Sequence, residues 1–384
     1  MQDNSTEARM LRLSFSSYAY LKGHDPKAGR QAVAQATEFW GISGVVDWFA
    51  VADDRHQFSF ALVFVVLEAL AETNEYSVVV RGTNPMSLDS WFRENFAVGT
   101  KVPWPGSPGA GKISQATATA LTLHEGLRDG GKSLYDYLQQ KIAQDKTRGR
   151  TSVVRFTGHS LGGLVAPLLA LRFSESYPRF ENLQLQVYSF AAPTAGDSEF
   201  ATYLEKSFLE NARQSFGEVR FIRCRDDVAV KVWDKRDMLG ILRLYAFYGV
   251  PINLFLIAVL GAARWSVRKL GYTQPFAKTP GSGPFHTDST DLFALDAFEA
   301  EDYLDGGLAA QFHRAKAIAK RPYSHRVFRN TLAWVVHGVV MHVVPYALHL
   351  LTKTEQEYVA GTLLKTILTH DTFFVERRAV PRNN

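Results

Sequence analysis

The stretch FTGHSLGGLVAPLLAL, Phe156–Leu171, constrains the fold of this chain more than any other. It overlaps Ser152–Thr157, a run rich in β-forming residues, and its second half carries apolar residues at helical spacing. The order is strand, sharp turn, helix, with Ser160 at the apex. Gly158-His159-Ser160-Leu161-Gly162 fits the G-x-S-x-G pattern of a nucleophile elbow, and Gly163 extends it. Such a turn brings backbone segments so close that a side chain at either motif glycine would clash. The serine then points out at the carboxyl end of a sheet. The N–H of Leu161 lies at a helix N-terminus, where it can stabilise an oxyanion.

The surrounding pattern is α/β. Phe58–Leu67 and Tyr76–Val80 read as strands joined by a polar turn around Glu72–Glu75. Leu183–Phe190 and Val219–Cys224 read as further strands, Leu134–Ala143 and Phe200–Leu209 as helices. Pro103–Lys112, PWPGSPGAGK, has the composition of a surface loop. Alternating strands and helices predict a mostly parallel sheet covered on both faces. Residues 1–384 are read as one such domain. From residue 234 to 326 the pattern changes to an apolar run, a Gly/Pro break and an acidic stretch, which predicts an insertion.

A nucleophilic serine needs a base, and the base needs an orienting carboxylate. In α/β-hydrolases these follow the serine in the order acid, then histidine. Asp226 and Asp227 follow a predicted strand and supply the acid. His337, His342 and His349 are the candidates for the base. Thr83, after the strand ending near Val80, stands where a second oxyanion donor belongs beside Leu161. A metal site from these histidines lacks supporting ligands, and the chemistry requires no cofactor.

With these pieces assembled the chain resembles the class 3 lipase family, which includes the fungal triacylglycerol lipases. The resemblance rests on Arg81-Gly82-Thr83 with Asp89-Ser90-Trp91 behind it, His124-Glu125-Gly126, GHSLGG, YSFAAPTAGD at Tyr188–Asp197, the aspartate segment and MHVVPYALHLL. These cover about 80 to 350 in the family's order. The resemblance implies an α/β-hydrolase fold, Ser160 as nucleophile, and Thr83 with Leu161 as oxyanion hole. It also implies a lid between Thr83 and His124, in residues 84–123 and most narrowly Asn84–Gly99. Reading VAVKVW as the segment after the family's acid selects Asp227, whereas anchoring on Arg220 selects Asp226. The expected proline is absent under either alignment. His342-x-x-x-Tyr346 matches the family's context for the base. His124 is expected to be a satisfied core histidine, Asp197 to cap the helix after it, and Pro167 to kink the helix after the serine.

Leu244–Ala263 contains no Asp, Glu, Lys or Arg and is long enough to suggest a membrane span. A single crossing there would separate the acid from His342. A compensating crossing through Thr331–Leu351 would bury His342 in lipid. An apolar helical cap or interfacial segment over the site is therefore favoured, with Arg243, Arg264, Arg268 and Lys269 flanking it for anionic headgroups. A buried helix pair in an enlarged core is the plainer alternative.

Composition agrees with an enzyme-sized globular chain: 46% hydrophobic, 21% charged, net charge +5. That mild positive charge calls for no nucleic-acid partner. One cysteine permits no intrachain disulfide, and MQDNSTEARM lacks the pattern of a signal peptide. A cytoplasmic or membrane-peripheral location is thus expected over a disulfide-rich secreted one. The expected function is a serine carboxylester hydrolase, foremost a triacylglycerol lipase, acting on a lipid ester at an interface. A phospholipase A or short-chain esterase on the same residues is the alternative. A non-catalytic lipid- or membrane-binding protein on a hydrolase fold is the rival from another class.

Overall fold

The computed structural model describes residues 5–20, 25–53, 60–82, 99–177, 179–210, 216–224, 227–234, 238–247 and 254–276, together with 342, 343, 346, 347, 350–352, 355, 356 and 359. In chain order these form α1 (Thr6–Ser16), α2 (Pro26–Phe39), β1 (Val45–Asp53), β2 (Phe60–Ala69) and β3 (Thr73–Val80). Next come β4 (Lys101–Pro103), β5 (Lys112–Ser114), α3 (Gln115–Glu125), β6 (Arg128–Asp129), β7 (Lys132–Ser133) and α4 (Leu134–Thr147). The last are β8 (Thr151–His159), α5 (Leu161–Ser176), β9 (Leu183–Phe190), α6 (Ser198–Glu210), β10 (Phe216–Ile222), α7 (Met238–Phe247) and α8 (Leu254–Val267).

The central sheet has the order β1-β2-β3-β8-β9-β10. Strands β3, β8, β9 and β10 are parallel neighbours, whereas β1 and β2 join by antiparallel pairing. Side chains alternate between the faces. Val63, Val65, Val78, Val80, Val154, Phe156, Leu185 and Val187 pack with α3, α4 and α5. Leu62, Phe64, Val66, Val79, Tyr188 and Phe190 face the other way, onto α1, α2 and Val343, Tyr346 and Ala347. Strands buried on both faces read as the near-continuous apolar runs seen in sequence.

Helices α1 and α2 and strand β1 are not apparent in the sequence pattern. Helix α1 is capped by Ser5, whose Oγ accepts from Ala8 N–H at 3.2 Å. Its apolar side, with Met10, Leu11, Leu13 and Phe15, is buried. Its charged side meets a ladder on the sheet: Arg9 pairs with Glu68 and Glu75, Arg155 Nη2 donates to Glu75 Oε1 at 2.8 Å, and Arg220 pairs with Glu7 and Glu218. Arg12 Nη2 donates to Glu355 Oε2 at 3.1 Å, tying α1 to the chain beyond His342. Both side chains are buried, so removing one partner costs about 3–5 kcal/mol by stranding the other.

Helix α5 runs unbroken through Pro167. Proline has no N–H for the carbonyl four residues earlier, that of Gly163. Ser189 Oγ, on β9, donates to that carbonyl at 2.7 Å instead. Asp197 caps α6: its Oδ1 accepts from Phe200 N–H at 3.1 Å, and Lys101 Nζ lies 2.7 Å from Oδ2. The stretch Pro103–Lys112 is the β4–β5 connection, and it is less superficial than its composition suggests. Trp104 is buried against Phe200, with ring centroids 5.0 Å apart.

The apolar run Leu244–Ala263 divides between α7 and α8, which pack together. Among the described residues no helix is long and apolar enough to cross a membrane. After α8 the chain returns to the body of the fold. Gln274 Nε2 donates to the carbonyls of Val230 at 3.0 Å and Ala192 at 3.2 Å, and Phe276 packs on Phe221. Residues 277–326 of the expected insertion, and its acidic stretch, lie outside the described residues. So does Asn84–Phe96 with its neighbours to residue 98, where the lid is expected; residues 99–123 form β4, β5 and most of α3.

His124 is buried on α3, with Nδ1 donating to the Ala120 carbonyl at 2.7 Å. Nε2 has no hydrogen-bond partner among the described residues. Burial pushes its pKa from 6.5 down to about 4, against the effect of that hydrogen bond. The unfolded chain therefore binds more protons between those values, and stability falls as pH drops from 6.5 toward 4. His124→Phe is expected to flatten that part of the stability curve by roughly 3 kcal/mol at most. Urea unfolding of both proteins across this pH range is the check, and identical slopes would refute it.

Candidate active site

The strand-turn-helix around Ser160 takes the tight form its glycines demand. Ser160 has φ 63° and ψ −127°, a left-handed conformation that costs a non-glycine residue on the order of 1–3 kcal/mol. The surroundings hold it there. Its N–H donates to the Phe190 carbonyl at 2.9 Å, and its carbonyl accepts from Leu164 N–H at 3.1 Å. A Cβ on Gly158 would lie 2.7 Å from the Val80 carbonyl oxygen, and one on Gly162 would run into that same oxygen. A Cβ on Gly163 would strike the Phe190 carbonyl. The glycines thus let β8 and α5 sit against the ends of β3 and β9.

Leu161 opens α5, where the first N–H groups have no partner within the helix. Gly82 packs against the same turn: a Cβ there would meet the His159 carbonyl and lie 3.1 Å from Ser160 Cβ. Thr83 follows Gly82 directly but lies outside the described residues.

After β10 the chain turns through Cys224 into the aspartate loop. Asp227 is fully buried, and among the described residues three donors face its carboxylate. Oδ1 takes one from Ala229 N–H at 2.8 Å. Both oxygens lie within reach of His342 Nδ1, Oδ2 at 2.8 Å and Oδ1 at 3.0 Å. Tyr346 O–H donates to Oδ2 at 2.9 Å while accepting from Cys224 N–H at 2.8 Å. Burial first, and then the Asp227 charge, push the Tyr346 phenol well above its ordinary pKa, so it stays a donor. His342 and Tyr346, four residues apart and each helical, both reach this one carboxylate. The sequence displayed His342-x-x-x-Tyr346, but nothing in the spacing alone told what the tyrosine holds.

His342 is buried, and its Nε2 has no hydrogen-bond partner among the described residues, Ser160 included. His159, the residue before Ser160, places its ring centroid 4.6 Å from that of His342. The structure thus joins Asp227 to His342 and brings His342 beside the turn that carries Ser160. Asp226, His337 and His349 lie outside the described residues.

Known proteins resemble this chain in sequence and in fold. Residues 77–232 match the family model described as lipase (class 3). Over these residues the chain is similar to class 3 lipases. Lipase ZK262.3 of Caenorhabditis elegans is 29% identical over 203 residues, which are 52% of this chain and 49% of that one. The match spans about half the length of this curated relative. The crystal structure of M37 lipase superposes with a TM-score of 0.66 at 20% identity, covering 96% of this chain and 99% of the other. That likeness shows the fold, an α/β-hydrolase with a mostly parallel sheet. The matched residues include Ser160, Leu161 and Asp227, whereas His342 lies beyond them.

Tyr346→Phe removes one oxygen and with it the hydrogen bonds to Cys224 N–H and Asp227 Oδ2 in a buried place. The expected cost is about 1–3 kcal/mol, read as a lower urea midpoint at unchanged slope. An unchanged midpoint would contradict this account of the aspartate loop.

Proposed function

We propose that this protein is a serine carboxylester hydrolase that cleaves fatty-acyl esters, foremost triacylglycerols, through an acyl-enzyme on Ser160. The observation that carries the reading is the Asp227–His342 hydrogen bond beside the strained turn at Ser160. His342 Nε2, with Nδ1 committed to Asp227, accepts the Ser160 hydroxyl proton as Oγ attacks the acyl carbonyl. The oxyanion so formed is held by the N–H of Leu161 and by Thr83. The tetrahedral species collapses, the alkoxide leaves with the proton from His342, and the acyl group stays on Ser160. Water, giving its proton to His342, attacks that ester and releases the fatty acid. Asp227 keeps Nδ1 protonated and offsets the charge that grows on the ring.

The substrate class follows from the lipase-family segment and from the apolar helices. On α8 the residues Ile257, Ala258, Gly261, Ala262 and Trp265 form an exposed stripe at helical spacing. Trp265 is 67% exposed, and the Arg268 guanidinium stacks 4.1 Å from its ring centroid. An amphipathic aromatic beside cations suits the boundary of an anionic lipid surface. The protein thus works at an interface, with α8 as its surface contact and the segment after Thr83 as its lid.

Nitrophenyl esters of graded chain length test the chemistry. Wild type is expected to cleave long chains, faster above the emulsion point, and Ser160→Ala to lose at least about 10³-fold in kcat. Cleavage of short chains alone would make it an esterase, and preference for glycerophospholipids a phospholipase A. Equal inactivity of wild type and Ser160→Ala on every ester would favour a lipid-binding role instead.

Trp265→Ser is expected to weaken co-sedimentation with phosphatidylserine-containing vesicles several-fold, at the scale of one buried aromatic. Its hydrolysis of soluble short esters should not change. Equal retention of the two proteins on these vesicles would contradict the assignment of α8.

A further inference from the structure

A second histidine lies beside the Asp227–His342 pair, and the proposed chemistry leaves it without a task. His159 is 1% exposed. Phe15, Tyr346 and His342 enclose its ring, at centroid distances of 5.3, 5.7 and 4.6 Å. Both of its nitrogens are engaged. Nε2 lies 2.9 Å from the main-chain carbonyl oxygen of His342, and Nδ1 lies 3.2 Å from the Tyr18 hydroxyl. A carbonyl only accepts, so Nε2 carries the proton. Nδ1 is then a lone pair, and Tyr18 must be its donor. The two contacts select one tautomer of a neutral ring. Burial, reinforced by the neighbouring His342, holds its pKa well below the ordinary histidine value despite the His342 carbonyl.

Tyr18 is itself tied to the start of the oxyanion loop. The Arg81 guanidinium lies 5.4 Å from its ring centroid, and Arg81 Nη1 donates to the Tyr20 carbonyl. A side chain at residue 82 would collide with the Tyr18 hydroxyl, which explains glycine there. The chain before α2, the loop before Thr83, the residue before Ser160 and the main chain of His342 therefore meet at one point.

We propose that Tyr18 and His159 are positioning residues for His342: Tyr18 O–H donates to His159 Nδ1, and His159 Nε2–H holds the His342 carbonyl. This rests on the reading of His342 as the base. His342 stands 183 residues after His159 in the chain, so only noncovalent contacts register it. The Asp227 bond fixes one end of the imidazole but leaves the ring free to swing with its backbone. The carbonyl bond pins that backbone. With both ends held, Nε2 has a single direction. Displacement of a catalytic group by about 1 Å can cost about a hundredfold in rate. Neither residue touches substrate in this account.

The test uses Tyr18→Phe, His159→Leu and His159→Gln in the full chain. Two quantities are read: kcat and KM on a nitrophenyl ester, and the downfield proton resonance of His342 Nδ1–H, assigned by its loss in His342→Gln. Tyr18→Phe and His159→Leu are expected to lower kcat about tenfold to a hundredfold with KM nearly unchanged, and to shift or broaden the resonance. His159→Gln keeps an N–H donor for the carbonyl and is expected to recover most of kcat. Wild-type kcat and an unmoved resonance in the first two variants would overturn the proposal. An equal loss in His159→Gln would also overturn it, since the ring would then matter only as packing. If wild type cleaves no ester, the proposed function fails, and the resonance alone decides the pair: displaced supports it, unmoved refutes it. Should His159→Leu not fold, Tyr18→Phe, which removes one oxygen from a partly buried ring, decides.

Discussion

The arrangement depends on how closely the turn at Ser160 approaches the carbonyl ends of its neighbouring strands. Val80 and Phe190 present main-chain oxygens to that turn, and only hydrogen atoms at residues 158, 162 and 163 let it fit between them. The left-handed backbone of Ser160 is tolerable because hydrogen bonds from both sides leave no alternative. The same approach sets the N-terminus of α5 at the sheet's carboxyl edge, where ligands collect in open α/β folds. It also obliges α5 to pack closely on β9. Ser189 can then satisfy the Gly163 carbonyl that Pro167 leaves bare. One steric condition thus serves the helix, the sheet and the placement of Ser160 together.

A second condition is electrostatic. Asp227 is a buried carboxylate, and burial without partners would make its charge untenable. Ala229, His342 and Tyr346 supply the donors, and each comes from a segment that other contacts fix. Tyr346 is held by Cys224, the region after it by Arg12 and Glu355, and α1 by the charge ladder across the sheet. The N-terminal helix is therefore more than a cover for one face. It anchors the stretch that delivers the histidine to the aspartate, and it brings Tyr18 and Phe15 against His159.

Much of the core was legible because parallel strands buried on both faces leave continuous apolar runs. Leu183–Phe190 has the same bounds in sequence and structure, and β2 and β3 differ from their reading only at the ends. The GHSLGG turn was legible because its glycines have a steric reason. The limits were equally physical. Helix α1 mixes apolar residues with Arg9, Arg12 and two serines, since its polar side bonds to the sheet rather than to water; periodicity undersells such a helix. Trp104 sits in a stretch of Pro and Gly that composition marks as a surface loop, yet its ring is buried. Asp226 and Asp227 are adjacent, and composition cannot separate them; the hydrogen bond to His342 involves Asp227. Tyr18 and His159 had no signal at all, because their link spans distant segments and no local pattern encodes it.

The most direct measurement is to treat the protein with a long-chain alkyl fluorophosphonate and map the adduct by mass spectrometry. The phosphorus takes the place of the acyl carbonyl, so a stable bond forms only with an activated nucleophile. The account predicts one adduct, on Ser160, and none in a protein whose Asp227–His342 bond has been broken by Asp227→Leu. An adduct on another serine, or none under conditions where the folded protein binds the probe, would contradict it.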